Sequence, residues 1–169
     1  MRRRSPAVVV AMALAVVAGA SGAVPRDDVP ADKAVAAVLD AFHDAAARAD
    51  EAAYFAVLAP NAVFLGTDAG ERWDKVAFRA FVHSYFSQGK GWTFRPRDRH
   101  LQASQDGGVL WFDEKLDSDS YGECRGSGVV ERQTDGRWRI TQYNLTIPIP
   151  NDLAKEFVAR IRAATTAKP

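Results

Sequence analysis

From Asp32 onward, apolar residues recur at helical spacing at Val35, Val38, Leu39, Phe42, Ala46 and Ala49, which predicts an amphipathic helix with Asp32 as its N-cap. Tyr54, Phe55 and Leu58 suggest a second short helix, ended by Pro60 and Asn61. The run Ala62 to Gly66 reads as a strand, and a turn at Thr67 to Gly70 leads into a short second strand at Glu71 to Trp73. Asp74 then caps a helix whose Phe78, Phe81, Val82 and Tyr85 share one face, and Gly89 stops it. Beyond it the period changes from helical to alternating. Strands are predicted at Trp92–Ser104, Val109–Ser118, Tyr121–Gln133 and Arg137–Ile149. Pro148 and Pro150 end the last of them, and Asn151 can cap a final helix with Leu153, Phe157 and Ile161 on one side.

Register decides which side chains share a face of this meander. With two-residue turns at Asp106-Gly107, Asp119-Ser120 and Asp135-Gly136, Arg99, Glu114, Arg125 and Thr146 stand side by side. The first turn brings opposite charges together on both faces, Asp98 against Lys115 and Arg99 against Glu114. Asp119-Ser120 is the weakest of the three dipeptides, and a one-residue slip there would invert the following strand. The expected inner face is apolar around a polar centre of Arg99, Glu114, Arg125, Ser127, Gln142 and Asn144, while Cys124, Gly126, Gly128 and Tyr143 fall outside. A carboxylate between two guanidiniums is held ionised, and the surplus cation suits a ligand carboxylate, phosphate or enolate. A self-satisfied ion network beneath the helices is the competing reading of the same row. Trp73 and Tyr85 are candidate pocket walls, although aromatic residues at these spacings also suit a plain core.

Composition narrows the class. The chain has 169 residues, 47% of them hydrophobic, enough for one ordinary core. Its 22 Lys and Arg against 21 Asp and Glu, scattered along the chain, form no basic face for nucleic acid. Arg2 to Arg4, the apolar run Ala7 to Ala18 and the small residues Ser21 to Ala23 follow the order of a secretory signal peptide, residues 1–23. The apolar run is shorter than the roughly 20 residues that cross a bilayer. No membrane anchor is therefore expected after cleavage, and the mature chain is expected to be secreted or periplasmic. Residues 24–31 read as a flexible lead, 32–150 as the domain, and 151–169 as a helix and tail. Cys124 is the only cysteine, which excludes an intramolecular disulfide and suits a buried thiol. Three dispersed histidines, His43, His83 and His100, make no recognisable metal site, so neither metal nor cofactor is expected.

The order of elements, with AVFLGTDAGERW, WFDEKL, CRGSGVV and GRWRITQYNLTIPIPND in succession, resembles a SnoaL-like domain of the nuclear transport factor 2-like superfamily over about residues 32–152. The resemblance implies an α+β fold, a cone-shaped curved antiparallel sheet with N-terminal helices packed on its concave face, plus a C-terminal helix. It also implies a pocket between sheet and helices, and often a homodimer built sheet to sheet. By the resemblance, Glu114, Arg125, Ser127, Gln142 and Asn144 occupy pocket-facing strand positions. Where relatives carry histidines on the last strand this chain has Gln142 and Asn144. Polyketide cyclases, ketosteroid isomerase-like enzymes and dehydratases share the family with non-catalytic domains. Three functions stay open at this point: binding of a small, partly apolar and anionic molecule, an isomerase, cyclase or dehydratase-like reaction with Glu114 or His83 transferring protons, and assembly as a dimeric module.

Overall fold

The computed structural model describes residues 30–166. Two helices open it, α1 (Ala31–Ala47) and α2 (Glu51–Ala56), followed by strands β1 (Leu58–Leu65) and β2 (Arg72–Asp74) and helix α3 (Lys75–Phe86). The meander is β3 (Arg95–Ala103), β4 (Val109–Ser118), β5 (Gly122–Arg132) and β6 (Trp138–Thr146), after which a 3₁₀ turn (Asn151–Leu153) leads into α4 (Ala154–Thr166). Six strands form one sheet in the order β2-β1-β6-β5-β4-β3. The sheet is mixed, because β1 returns beside β6 in parallel while every other neighbouring pair is antiparallel.

Local chemistry explains most boundaries. Asp50 caps α2 by accepting the Ala53 N–H at 3.0 Å, and Asp74 caps α3 through the Ala77 N–H at 2.8 Å. Asp32 is not the cap expected of it: α1 starts one residue earlier behind Pro30, and Asp32 sits in the first turn, where its charge favours the helix dipole. Pro60 lies inside β1 at the point where the β1–β6 pairing shifts register, a position that needs no ladder N–H. Asn151 likewise opens a 3₁₀ turn and caps nothing with its side chain.

The helices cover one face of the sheet. Val35, Leu39, Phe42 and Ala46 of α1 and Phe78 and Val82 of α3 are buried against Leu110, Phe112, Val130, Ile140 and Tyr143 from the strands. Helix α1 contacts both β6 and the edge strand β3, so the sheet curls around it. Helix α4 takes no part in this core: its Phe157 and Ile161, and Leu153 of the 3₁₀ turn before it, remain 40–54% exposed.

The second turn departs from the expected register. Ser118 pairs with Gly122, which leaves a three-residue loop at Asp119, Ser120 and Tyr121. Gly122 takes the left-handed φ of 70° that the closing position of such a loop demands, and neither Asp119 nor Ser120 has to adopt positive φ. The slip of one residue turns β5 over. Cys124, Gly126, Gly128 and Val130 now face the core, and Arg125, Ser127 and Val129 face out. The third loop also gains a residue, but a bulge at Thr141 restores Ser127 opposite Asn144 and Val129 opposite Gln142, on the outer face. The bulge lets both Ile140 and Tyr143 point inward.

Glycine on β5 is required by close approach. A Cβ on Gly128 would stand 2.0 Å from the backbone oxygen of Gln142 and 3.0 Å from the Phe112 ring. Gly128→Ala is expected to destabilise the fold by about 1–3 kcal/mol, because the nearest obstacle is main chain that no rotamer change can move. Urea denaturation checks this: the midpoint should fall with little change in slope.

Candidate functional site

Between α1, α2, α3 and the sheet lies a cavity of about 250 Å³. Its walls are aromatic. Phe64 stacks on Phe78 with centroids 4.0 Å apart, Phe42 on Tyr54 at 4.4 Å, and Trp73 on Phe81 at 5.1 Å. Tyr85, Trp92, Phe94 and Tyr121 continue the lining, and the polar contributions come from His43, Thr67, Glu71 and the tyrosine hydroxyls. Residues from α1, α2, β1, β2, α3 and β6 thus meet around one space.

Below the cavity sits Glu114, 1% exposed on the inner face of β4. Its Oε2 accepts from Arg99 Nε at 2.7 Å; its Oε1 is 2.7 Å from His43 Nε2 and accepts the Tyr143 hydroxyl at 3.3 Å. Arg99 is itself anchored to α1 by donating Nη1 to Asp40 Oδ1 at 2.8 Å and to the Ala36 carbonyl at 3.1 Å. Its Nη2 is buried without a partner among the described residues. Tyr143 lies on β6, two strands from Glu114. It reaches across because Gly126 intervenes: a Cβ there would stand 2.3 Å from the Tyr143 hydroxyl oxygen and 3.2 Å from Glu114 Cγ.

Burial alone would raise the Glu114 pKa, but the hydrogen bond from His43 and the Arg99 guanidinium outweigh it and hold the carboxyl below its ordinary value. Arg99 is pushed above its ordinary value by Glu114 and Asp40 in spite of its own desolvation. Desolvation raises the phenols of Tyr54 and Tyr143, the latter further through the Glu114 charge, so both stay protonated. An ionised Glu114 can only accept, which requires the His43 proton to be on Nε2. In the neutral form of that imidazole Nδ1 carries a lone pair, and it makes no hydrogen bond among the described residues. A histidine that lines a cavity and is oriented from behind by a carboxylate can accept a hydrogen bond or a proton from a bound molecule.

The structure brings Arg99 and Glu114 together as the alternation requires, although the β3 ladder breaks at Asp98, whose φ of 47° marks a bulge. Trp73 and Tyr85 line the cavity. Arg125, Ser127, Gln142 and Asn144 do not. The slipped second turn and the Thr141 bulge put all four on the outer face, where Arg125 pairs with Lys115 and Thr146 and stands on the opposite side of the sheet from Glu114. The bracket of two guanidiniums is replaced by Arg99, His43 and Tyr143. His43 has its acidic partner 71 residues away, beyond any spacing rule. The one available signal was its position beside Phe42 on the buried stripe of α1. His83, by contrast, is exposed and bound to Glu51 at 2.7 Å.

The model of the SnoaL-like domain matches residues 35–150. The chain belongs to that family. The SnoaL-like domain has no match among curated proteins. Its fold recurs in an NTF2-like protein of unknown function from Pseudomonas putida, 15% identical, with a TM-score of 0.60 over 72% of this chain and 89% of that one. It recurs in a candidate dehydratase of the NTF2-like family from Streptomyces avermitilis, 13% identical, at 0.60 over 71% and 97%. A candidate ketosteroid isomerase from Shewanella frigidimarina is 20% identical, at 0.55 over 68% and 96%. These likenesses carry the fold of the SnoaL-like domain and leave its chemistry to its own residues.

Glu114→Gln should cost about 2–3 kcal/mol at neutral pH, since it removes the buried one of the two carboxylates that meet the Arg99 charge and leaves only the exposed Asp40. The sign with pH follows from the depressed carboxyl. Its contribution is complete above the ordinary value of 4.5 and is lost as pH falls through the lower folded value. Denaturation curves at a series of acidic pH values should show the gap between wild type and variant closing below about pH 4.5.

Proposed function

We propose that this SnoaL-like domain binds a small, ring-bearing, largely apolar molecule in the aromatic cavity, with His43 as the contact that fixes its polar end. The observation that carries this reading is the contrast between walls of stacked rings and the single oriented acceptor at their base. An engineered apolar cavity of about 150 Å³ accepts benzene, so 250 Å³ suits a ring with a substituent or a fused pair. The anionic ligand expected from Arg125 loses its support, because no lysine or arginine lines the cavity and Arg99 is committed to Glu114, Asp40 and Ala36.

We also infer export. The leader at residues 1–23 lies outside the described residues, and N-terminal sequencing of the secreted or periplasmic protein is expected to start at Val24. A homodimer would use the outer sheet face, where Trp111 is 45% exposed.

The His43–Glu114 pair supports a second reading, proton transfer to His43 Nδ1, in keeping with the isomerase and dehydratase designations of two structural neighbours. Two measurements separate the readings. Quenching of Trp73 and Trp92 fluorescence should show saturable binding of 2-naphthol, weakened about fivefold in His43→Gln, with naphthalene binding changed less than twofold. Unsaturable uptake, or equal losses for both probes, would remove His43 from the site. For proton transfer the probe is 5-nitrobenzisoxazole, whose C–H proton would pass to Nδ1 while the electron pair forms the nitrile and expels the phenolate oxygen. Acceleration lost in His43→Gln supports catalysis. Binding without acceleration leaves a binding domain only.

A further inference from the structure

The cavity mouth has a charge distribution that the apolar reading does not use. Glu71, on the turn between β1 and β2, is the only acidic side chain in the lining, and no lysine or arginine accompanies it. Its Oε2 accepts the Asp68 N–H at 3.1 Å, and no ion pair of this carboxylate occurs among the described residues. Gly66 makes room for it. The Cβ that Gly66 lacks would lie 2.3 Å from Glu71 Oε2 and 3.0 Å from Trp73 Cζ3, so the carboxylate and the Trp73 ring border the same small space.

Around this point the rings stop behaving as core. Phe81 is 39% exposed, Tyr85 43% and Tyr121 55%, although all three line the cavity. Trp73 stacks on Phe81, which leans on Tyr85 at 5.3 Å, giving a connected aromatic rim. Exposed rings in contact with one another form a patch that a soluble surface does not keep without use. Aromatic faces carry negative quadrupole charge and attract organic cations, most strongly where water is excluded. An unpaired carboxylate beside them adds attraction of the same sign. The base of the cavity does not oppose it, since the Arg99 charge is met by Glu114 and Asp40 and His43 is paired with the Glu114 carboxylate.

We propose that the cavity mouth, Glu71 with Trp73, Phe81, Tyr85 and Tyr121, is a recognition site for the ammonium group of an aryl- or alkylammonium molecule whose apolar part enters the aromatic cavity. This rests on the small-molecule reading above and adds the charge class of the ligand. The cavity supplies area, the rim supplies the preference for positive charge, and a carboxylate ligand is rejected because it would face Glu71 with no cation to meet it.

The test compares phenyltrimethylammonium with tert-butylbenzene, which has nearly the same shape and no charge. Binding is read by tryptophan fluorescence and by titration calorimetry, with wild type and Glu71→Gln. The wild type should bind the cation at least tenfold more tightly than the hydrocarbon. Glu71→Gln should reduce that preference to about threefold or less, with tert-butylbenzene binding unchanged. The glutamine keeps an acceptor for the Asp68 N–H, so the turn is retained, and Trp73→Leu provides a second variant that should weaken the cation more than the hydrocarbon. Equal affinity for the two probes, or a preference that survives Glu71→Gln intact, overturns the cation site while leaving the cavity reading in place. If 2-naphthol, tert-butylbenzene and the cation all fail to bind, the cavity reading itself falls.

Discussion

A buried, ionised carboxylate governs how the sheet and the first helix meet. Desolvating Glu114 would cost several kcal/mol if it stood alone, and the surrounding structure is arranged to offset that cost. Arg99 comes from the neighbouring strand, His43 from α1 and Tyr143 from β6, and Arg99 continues to the Ala36 carbonyl and Asp40, earlier along the same helix. One acid therefore ties a helix to three strands. The helix cannot slide along the sheet without parting a charge-assisted hydrogen bond, and this sets how far the sheet curls around it. The cavity is the space left between that fixed helix and the aromatic face of α3.

The alternation of small residues on β5 is the complementary constraint. Gly126 allows Tyr143 to lie over the strand and reach Glu114, and Gly128 allows the β5 backbone and the Phe112 ring to approach β6. Larger side chains in that column would fill the concavity and lift Tyr143 away from the carboxylate. Polar network and cavity thus depend on the same two missing Cβ atoms.

How much of this could be read from the chain follows from the range over which each signal acts. Helix caps at Asp74, the stripe Phe78, Val82 and the pairing of Arg99 with Glu114 are local or follow from one short turn, and they are legible. The first turn is a longer loop than Asp106-Gly107 alone, but it keeps the same pairing, so nothing inverts. The second adds one residue and inverts β5; the extra residue of the third loop returns Ile140 to the inner face, and the Thr141 bulge then turns Gln142 and Asn144 outward. The correct choice was present in CRGSGVV: Cys124, Gly126, Gly128 and Val130 form the more apolar alternate set, whereas Arg125, Ser127 and Glu131 belong outside. The alternation in β5 outweighs the preference of the Asp119-Ser120 dipeptide for a two-residue turn. The His43 contact was out of reach for another reason, since sequence spacing says nothing about two residues 71 apart that meet through tertiary packing.

The sign of charge that the site favours follows from where the cations have gone. Arg79 donates to Glu51 and lies over the Phe55 ring, 4.9 Å from its centroid, so its charge is spent on the α2–α3 contact. Lys75 donates to the Leu58 carbonyl at 2.6 Å, tying α3 to β1. Arg99 is held beneath Glu114, and Arg125 is outside. The first three have structural uses, and none of the four lines the cavity. What remains facing inward is a set of π-faces, phenol hydroxyls, one imidazole lone pair and the Glu71 carboxylate. Such a surface is dominated by π-faces, so positive charge on a ligand gains from the walls as well as the rim, and negative charge meets no lysine or arginine among the described lining residues.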